Sequence, residues 1–375
     1  MVSKKVTATT KVFLFSDIYD KKAVSELLSR AQILNTTISD IPVLPQQASD
    51  MDADIMASSI ASTAAIEGNP ITKDEIESAI SKKDSKNYSH SHKIEIKNLI
   101  DAYKKLDNFE HSGKDFIITE DFIKELHRSL TRDIASKGNT PGEYRDRLVK
   151  VGSEELGGVY RPPSSLDDIE QLMKSFIDWI NSEELLAASP FVRAALAHYH
   201  LSLIHPFFSA NGRTARLLEA YILHAANIRH VSKMLSNYYY RNKESYSLTF
   251  SSTKRKSKDT TPFLKFVLEA VNSCLDELKN RVYGYLYDLT MREFLHIMKN
   301  DGDINARQHD LVLLMMEEER DVTLTGLQTE KPFVYLFKDV TEQTARRDLK
   351  KLSDLNLLKS VDGKSYHLCF DMLMF

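Results

Sequence analysis

The sequence predicts a mainly α protein, in which a helical bundle with one projecting β-hairpin is followed by a small α+β domain. Long segments repeat apolar residues at intervals of three and four, the spacing of helices that bury one face. Helix-breaking residues are scarce, with 12 glycines and 10 prolines in 375 residues. Near residue 301 the pattern starts again, and it ends in two β-prone runs separated by Asp362 and Gly363, the strongest short-range signal for a hairpin.

The composition is that of an ordinary folded protein. Hydrophobic residues make up 42% and charged residues 27%, and the length suggests two or three domains. A formal net charge of -3 gives no general attraction to nucleic acid or to an anionic membrane. The two cysteines lie far apart, which excludes a disulfide framework and favours a reducing compartment. The apolar run from Val12 to Phe15 is too short for a signal peptide, and no run approaches the roughly 18 residues of a membrane span. We therefore expect a cytoplasmic protein without a membrane partner.

The predicted helices make up most of the first 290 residues. Each is bounded by a break in the apolar spacing or by a residue that begins or ends helices. They cover residues 23–36, 53–67, 73–79, 93–105, 119–130, 166–181, 190–204, 213–225 and 262–289. The basic segment SSTKRKSKD at 251–259 is predicted to be a solvated loop.

One interruption of the helical pattern lies at residues 143–165. Apolar residues alternate with polar ones from Leu148 to Val151, the pair Gly157 and Gly158 favours a turn, and two prolines end the segment. We interpret the segment as a β-hairpin whose exposed edge could pair with an extended peptide from a partner. A plain structural loop fits the composition equally well.

The C-terminal region has the element order of a winged helix-turn-helix. A helix is predicted over 306–319, a second helix begins after Thr341 as N-cap, and the hairpin follows. Residues 341–359 contain five basic and three acidic residues, a milder excess than sequence-reading DNA modules usually show. Two alternatives therefore stay open for this region. It binds DNA, or it docks the protein substrate or a neighbouring subunit. The basic residues that lie mostly away from the apolar face of the second helix are Arg346, Arg347, Lys350 and Lys351.

The most informative stretch is HPFFSANGRTAR, which begins at His205. Pro206 cannot continue the preceding helix, so His205 lies just past a helix end, and another helix begins near Arg213. The first N–H groups of that helix have no internal partners and form an anion site at its positive end, which Gly212 leaves open. Arg213 and Arg216 lie on one side of the helix, where each guanidinium can bind phosphate oxygens.

These residue types together indicate phosphate chemistry with a histidine base. A histidine titrates near neutral pH and can accept the proton of an attacking hydroxyl. Taken singly, each residue fits the plainer interpretation of a capped helix-loop-helix with surface arginines. The ordered combination is much more specific.

The same stretch resembles the signature of the Fic family, which runs His, any residue, Phe, any residue, Asp or Glu, Gly or Ala, Asn, Gly, Arg, two residues, Arg. The segments PGEYR, YRPP and YYYRNKESYSL, beginning at 141, 160 and 238, also resemble the family, so the likeness spans most of residues 20–280. The positions that match the signature are His205, Phe207, Asn211, Gly212, Arg213 and Arg216.

The resemblance implies a protein adenylyltransferase that moves AMP from ATP, its substrate, to a hydroxyl side chain of a target protein. It implies that His205 deprotonates the hydroxyl and that Arg216 holds the γ-phosphate. It further implies that the hairpin at 149–160 is a flap that aligns the target as an added strand and that Tyr246 lines the base pocket. The residues that would hold the α- and β-phosphates are Asn211, Gly212 and Arg213.

Ser209 departs from the family pattern, which has an acidic metal-binding residue at this position. A hard cation prefers an anionic oxygen, so the resemblance with serine in this place implies weakly held Mg²⁺. Three alternatives stay open: a transferase with weakened metal binding, an enzyme with another phosphate-linked donor, and a degenerate site that only binds nucleotide. Ala210 is a variation that the family tolerates.

A second segment, TAAIEG from Thr63 to Gly68, resembles the inhibitory motif of Fic proteins. Gly68 is a natural helix C-cap, so Glu67 would lie at the negative end of a helix, where a cation partner would relieve the repulsion. The resemblance implies that Glu67 pairs with Arg216 and blocks productive seating of the γ-phosphate. The same glutamate could instead position a water for removal of AMP.

Three regions are predicted: an N-terminal helical region with the inhibitory helix at 1–110, a Fic catalytic core at 111–290, and a winged helix-turn-helix domain at 300–375. The alternative to an enzyme is a nucleotide-sensing, DNA-binding regulator. Retention of His205 favours the enzyme, and loss of the acidic residue at Ser209 favours the regulator. The question whether the chain forms a homodimer stays open.

Overall fold

The computed structural model describes residues 4–7, 12–80, 90–110, 116–134, 138–152, 154–156, 158–255, 258–360 and 362–369. As predicted, the chain is mostly helical and has small antiparallel sheets. It divides into two compact units, Met1–Lys279 and Asn280–Phe375, and the division falls within one long helix.

The first unit contains most of the helices. The helix predicted at 190–204 has those bounds, and most of the other predicted helices occur with ends that differ by up to three residues. The exceptions are the helix predicted at 53–67, which begins eight residues earlier, and the longest helix, which ends about three turns later. The helices are α1 (Lys21–Ser39), α2 (Pro45–Ile66), α3 (Lys73–Ile80), α4 (His90–Asp107), α5 (Glu120–Thr131), α6 (Leu166–Ile180), α7 (Glu183–Leu186), α8 (Pro190–Ile204), α9 (Asn211–Ala225), α10 (Arg229–Arg241), α11 (Lys243–Arg255) and α12 (Thr261–Asn300).

Helices α7, α10 and α11 were not predicted, and α11 includes residues 251–255, where the sequence predicted a loop. Helix α10 packs against α2 and buries polar side chains, which conceals its apolar periodicity. The clearest case is Lys233, which is 2% exposed because its Nζ lies 3.1 Å from Asp52 and 2.7 Å from Asp107. Two carboxylates from distant parts of the sequence thus allow a lysine to be buried inside the protein.

A two-stranded antiparallel sheet at the N-terminus was also missed. Strand β1 (Lys4–Thr7) pairs with β2 (Val12–Phe15), with Lys4 opposite Phe15. The Phe15 ring is fully buried, with its centroid 5.6 Å from Trp179 and 5.5 Å from His200. The sheet therefore covers α6 and α8 with an aromatic layer.

Helices α8 and α9 pack against each other and position the loop between them. Helix α8 is buried on nearly all sides, as expected of a helix that is apolar all round. Its partner α9 is buried along most of its length. A loop anchored by two buried helices has little freedom to move.

The hairpin expected at 143–165 is present as one antiparallel bridge rather than as two regular strands. Val151 and Tyr160 exchange two backbone hydrogen bonds of 2.9 and 2.7 Å, and a short 3₁₀ turn, Glu154–Leu156, lies between them. Leu148 is 73% exposed, so the alternating apolar residues do not mark a buried strand face. Gly157 lies outside the described residues.

The second unit has its own core around Leu311, Leu327, Phe333 and Leu352. As expected, Thr341 caps its basic helix by accepting a 3.3 Å hydrogen bond from Thr344 N. The identity of this unit as a winged helix-turn-helix stays a prediction. Its elements after α12 are α13 (Ala306–Glu318), β3 (Val322–Thr323), α14 (Leu324–Thr329), α15 (Phe333–Phe337), α16 (Glu342–Asp354), β4 (Leu358–Ser360) and β5 (Ser365–Leu368), with antiparallel strands in the order β3-β5-β4.

Two further expectations concern the whole chain. Cys274 and Cys369 are both buried and unpaired. Among the described residues, no helix combines the length and the apolar character needed to cross a membrane.

Candidate active site

His205 ends α8 in a left-handed conformation, with φ 51°, and its N–H donates to Leu201 O at 3.0 Å. Its Nδ1 lies 3.3 Å from Ser202 O. Because a carbonyl oxygen can only accept, Nδ1 carries the proton and the neutral ring keeps a lone pair on Nε2. Burial lowers the pKa of His205 to about 4. The charge of Arg145 also lowers this pKa, whereas the hydrogen bond to Ser202 O raises it. The ring is therefore a neutral base at pH 7.

The loop after His205 is shaped by the Asn211 side chain. Asn211 Oδ1 accepts from Phe207 N at 2.9 Å, and its Nδ2 donates to Phe207 O at 2.8 Å. Ala210 has a left-handed conformation, with φ 54°, and α9 begins at Asn211 without a side-chain cap. The first N–H groups of α9 have no intrahelical partner, so they are available to an anion. The Asn211 side chain itself is committed to the loop.

Arg213 pairs with a carboxylate that the sequence did not single out. Its Nη1 contacts Glu95 Oε1 on α4, and the other Glu95 oxygen accepts from Asn69 Nδ2 at 3.0 Å. Asn69 lies two residues after Glu67, so Glu95 connects Arg213 to the end of the predicted inhibitory segment. Arg213 Nε is buried and has no hydrogen-bond partner among the described residues. It remains a donor that a ligand oxygen could satisfy.

Arg216 is 4% exposed and is held by the C-terminal end of α2. Its Nη2 lies 2.8 Å from Glu67 Oε1, and its Nε donates to Thr63 Oγ1 at 2.9 Å. The same Nη2 lies 3.3 Å from Thr63 O. Thr63 and Glu67 therefore both accept hydrogen bonds from one guanidinium, because one helical turn separates them.

The conformation of the α2 end fits the sequence prediction. Gly68, with φ 89°, follows the C-cap residue Glu67, and the N–H of Asn69 reaches back to Ala64 O at 3.0 Å. Burial acts to raise the pKa of Glu67, but the charge and hydrogen bond of Arg216 outweigh it and hold the pKa below its ordinary value. Glu67 is thus a carboxylate that offsets the guanidinium charge.

Gly212 explains why the pair can form. A Cβ at this position would lie 2.6 Å from Glu67 Oε1 and 3.1 Å from Arg216 Nη1. The first turn of α9 therefore needs glycine here to admit the carboxylate.

Tyr246 lies within the core beside Arg216. It is 7% exposed, its ring stacks on Tyr239 at 4.8 Å, and its hydroxyl lies 2.7 Å from His198 Nε2. Burial raises the pKa of Tyr246, and the charge of Arg216 opposes this rise. The expectation that Tyr246 lines the base pocket stays a prediction.

The surroundings of Ser209 do not fit a metal site built by the protein. Its hydroxyl donates to Asn139 Oδ1 at 2.7 Å, so its described partner is a neutral amide. Among the described residues, no three His, Cys, Asp or Glu side chains group together as metal ligands. The carboxylates of Glu67 and Glu95 are already paired with Arg216 and Arg213.

Arg145 connects the segment between Arg147 and Pro163 to the loop that follows α8. It is 3% exposed, and its side chain donates to the carbonyl oxygens of His205 at 2.8 Å, Arg147 at 2.9 Å and Pro163 at 2.6 Å. Its own N–H donates to Pro206 O at 2.9 Å. Both ends of this segment are therefore fixed relative to His205.

The structure thus brings together most of the predicted site residues. Arg213, Arg216 and His205 all lie close enough to Glu67 to affect its pKa, which places the four side chains in one cluster. Sequence reasoning missed Glu95, because nothing in its local pattern distinguishes it from a solvated helix charge. It also missed Arg145, although this residue belongs to the quoted segment PGEYR.

Known proteins resemble the central part of the chain. Residues 117–223 match the family described as Fic/DOC. Protein adenylyltransferase Fic from Drosophila willistoni is 35% identical over 162 residues, which are 42% of this chain and 29% of that protein. Protein adenylyltransferase fic-1 from Caenorhabditis elegans is 42% identical over 105 residues, which are 27% of this chain and 18% of the relative. The matches span less than a third of either relative.

Two solved structures share the fold. A Fic family protein from Desulfovibrio desulfuricans G20 superposes with a TM-score of 0.59 at 18% identity, over 94% of this chain and 98% of that one. Fic-1 from C. elegans superposes with a TM-score of 0.58 at 22% identity, over 69% of this chain and 73% of that one. The chain has a Fic-type helical fold. Within that fold, residues 117–223 carry the match to the Fic/DOC family.

The contact between Gly212 and Glu67 can be tested by a double-mutant cycle. Gly212→Ala should destabilise the wild type by about 1–3 kcal/mol, because the added methyl group displaces Glu67 from Arg216. In Glu67→Gly the cost should fall by about 1 kcal/mol, because the displaced carboxylate is gone. Trp179, the one tryptophan of the chain and 2% exposed, reports unfolding of the first unit in urea by its fluorescence. Equal costs in both backgrounds would contradict the contact.

The tautomer and pKa of His205 can be tested by a pH titration. Its ring resonances should stay constant from pH 8 to 5.5, since the folded pKa is about 4. Between pH 6.5 and 4 the unfolded chain binds a proton here that the folded chain does not, so stability is lost as the pH falls. His205→Asn should reduce proton uptake on unfolding at pH 5 by about one. A ring that titrates near 6.5, as the urea-unfolded control should, would refute the buried neutral base.

Proposed function

We propose that this protein is an autoinhibited adenylyltransferase, which transfers AMP from ATP to a hydroxyl side chain of a target protein. The observation that supports it most is a neutral His205 with Nε2 as its free acceptor, beside the N-terminus of α9 and two arginines. The names of the Fic relatives agree with this chemistry. A pure nucleotide-binding site would need no base at this point.

In the proposed step, the target hydroxyl oxygen forms a bond to the α-phosphorus of ATP, and the bond from that phosphorus to the bridging oxygen breaks. The hydroxyl proton goes to His205 Nε2, and pyrophosphate leaves. The N–H groups of Asn211 and Gly212 and the guanidinium of Arg213 stabilise the charge on the α- and β-phosphates. Arg216 binds the γ-phosphate, and catalysis rests mainly on this positioning.

The segment between Val151 and Tyr160 is proposed to act as the flap. Arg145 holds both of its ends near His205. A target segment that pairs with the flap backbone as an added strand would therefore present its hydroxyl at a fixed distance from Nε2.

Glu67 is proposed to keep this site silent. Its carboxylate occupies a donor of Arg216 that the γ-phosphate needs, and it neutralises the charge that attracts the nucleotide. The residue lies at the end of α2 and its side chain is 34% exposed, so a local displacement of this helix end would free Arg216.

Ser209 bears on the metal and on the donor. Because its neighbour is a neutral amide, Mg²⁺ would enter and leave as part of the nucleotide rather than as a resident ion. A donor with another phosphate-linked group would make the same contacts with α9.

The second candidate function is a nucleotide-sensing regulator that binds DNA through the C-terminal unit. The observation in its favour is the exposed basic face of α16, which includes Arg346, Arg347, Lys350 and Lys351. Here nucleotide binding without transfer would be the signal, and the labelling experiment below distinguishes the two functions.

Glu67→Gly should activate transfer of radiolabel from α-labelled ATP to protein in a cell lysate with Mg²⁺ or Mn²⁺. We expect an increase of about tenfold or more over the wild type, because Arg216 is freed for the γ-phosphate. Adding His205→Ala should then lower the rate by about 10²-fold or more, since the base is lost.

The control for Glu67→Gly is Asp133→Gly, which also removes a carboxylate but at an exposed position with φ 61° whose partner is Arg132. It should leave the wild-type rate unchanged. If Glu67→Gly binds ATP but transfers no label, the sensing function replaces the enzymatic one.

Ser209→Asp in the Glu67→Gly background should raise Mg²⁺-dependent transfer about tenfold at limiting Mg²⁺, because an anionic oxygen binds a hard cation better than a hydroxyl does. Ser209→Asn is the matched control, since it has the same size without the charge. The measurement is the labelling rate as a function of Mg²⁺ concentration. The same Mg²⁺ dependence in both variants would show that position 209 is not a metal position.

A further inference from the structure

A carboxylate on α4 determines which donors of Arg213 are already taken. Arg213 Nη1 donates to Glu95 Oε1, and the other Glu95 oxygen accepts from Asn69 Nδ2 at 3.0 Å. The side chains of Arg213 and Glu95 are 12% and 14% exposed. Both oxygens of Glu95 thus have a donor, as a largely buried carboxylate requires. The chemistry proposed above uses Arg213 but gives Glu95 no role.

The contact with Glu95 leaves one edge of the Arg213 guanidinium for a ligand. A guanidinium is planar and offers two forked edges, one formed by Nε and Nη2 and the other by Nη1 and Nη2. The hydrogen bond to Glu95 uses Nη1. Within the described part of the chain, Nε is buried and has no hydrogen-bond partner. The edge of Nε and Nη2 is therefore the one that can bind a phosphate group through two parallel hydrogen bonds.

Helix α4 keeps Glu95 in place independently of the α2 end. It packs against α5 as well as against α2. Asn98, one turn after Glu95, is 2% exposed, and its Nδ2 donates to Arg132 O at 2.7 Å. The contacts of Arg216 come from α2 instead. A displacement of the α2 end would therefore release Arg216 but leave Glu95 beside Arg213.

We propose that Glu95 is a positioning residue, which holds the guanidinium of Arg213 with its Nε–Nη2 edge toward the phosphates of the nucleotide. This inference rests on the proposed function of Arg213. A guanidinium that is oriented beforehand loses less conformational entropy when it binds phosphate. The negative charge of Glu95 by itself repels a phosphate, so the gain from orientation has to exceed this repulsion. The two effects change nucleotide affinity in opposite directions, which makes them separable.

The test measures the affinity for ADP by calorimetry in the full chain with Glu67→Gly. ADP carries the two phosphates assigned to Arg213. Adding Glu95→Ala should lower this affinity about threefold to tenfold, the cost of ordering one freed side chain on binding. A higher affinity would mean that Glu95 acts by repulsion, and an unchanged affinity that it does not act on the nucleotide. Either result would overturn the proposal.

Asp101→Ala is the matched control for Glu95→Ala. Asp101 lies on the same helix, and its carboxylate pairs with Arg132 at 3.2 Å, so the variant also removes a carboxylate from an arginine. It should leave the affinity for ADP equal to that of the parent. An equal fall in both variants would indicate a general effect on α4 and would count against a specific role of Glu95.

A double-mutant cycle shows whether Glu95 acts through Arg213. In the chain with Glu67→Gly and Arg213→Ala, the further change Glu95→Ala should no longer lower the affinity for ADP, because no guanidinium remains to be oriented. If Glu95→Ala causes the same fall with and without Arg213, Glu95 is not a positioning residue for this arginine.

A last measurement needs no nucleotide, so it separates failure of this proposal from failure of the proposed function. Crystal structures of Glu67→Gly, with and without Glu95→Ala, show the position of Arg213 in the absence of ligand. The proposal requires the Arg213 guanidinium to stay in contact with Glu95 in the first structure and to be displaced or split in the second. An identical guanidinium position in the two structures would exclude the proposal, whether or not ADP binds.

Discussion

The charge of Arg216 inside the protein is the constraint on which the rest of the site depends. A guanidinium that is 4% exposed needs hydrogen-bond acceptors around it, and the fold supplies them from elements far apart in sequence. Thr63 and Glu67 approach from the end of α2. Gly212 leaves the space in which the carboxylate fits. The end of α2 and the guanidinium of Arg216 are therefore held in place by the same contacts.

Around this charge, the chain leaves a set of polar groups that its own contacts do not satisfy. His205 Nε2 is an acceptor, and Arg213 Nε is a buried donor without a partner among the described residues. The first N–H groups of α9 point out of a helix N-terminus. A folded protein seldom leaves buried polar groups unpaired. Their combination in one loop is understandable if an anionic ligand completes the hydrogen bonding.

The geometry of the catalytic loop depends on local strain that the neighbouring elements support. His205 and Ala210 both have positive φ, which is unfavourable for residues with a Cβ. The Asn211 side chain braces the turn, and Arg145 binds carbonyl oxygens on both sides of it. Two buried helices, α8 and α9, hold the ends. The strained backbone persists because its surroundings determine it from several directions.

Local sequence determined the helices and the loop because their signals are local. Apolar spacing gave most helix positions, Pro190 and Gly68 mark a start and an end, and the resemblance to the Fic signature identified the site residues that the structure brings together. Tertiary structure alone decided what depends on partners distant in the chain. These features are Glu95 at Arg213, the burial of Lys233 in α10, and the contact of Tyr246 with His198. The segment at 143–165 is a second example of this difference. Its apolar alternation predicted two strands, whereas Leu148 is exposed in the structure and a single bridge joins Val151 to Tyr160. A charge becomes a buried ion pair, and an apolar residue becomes core, only when the fold brings a partner to it.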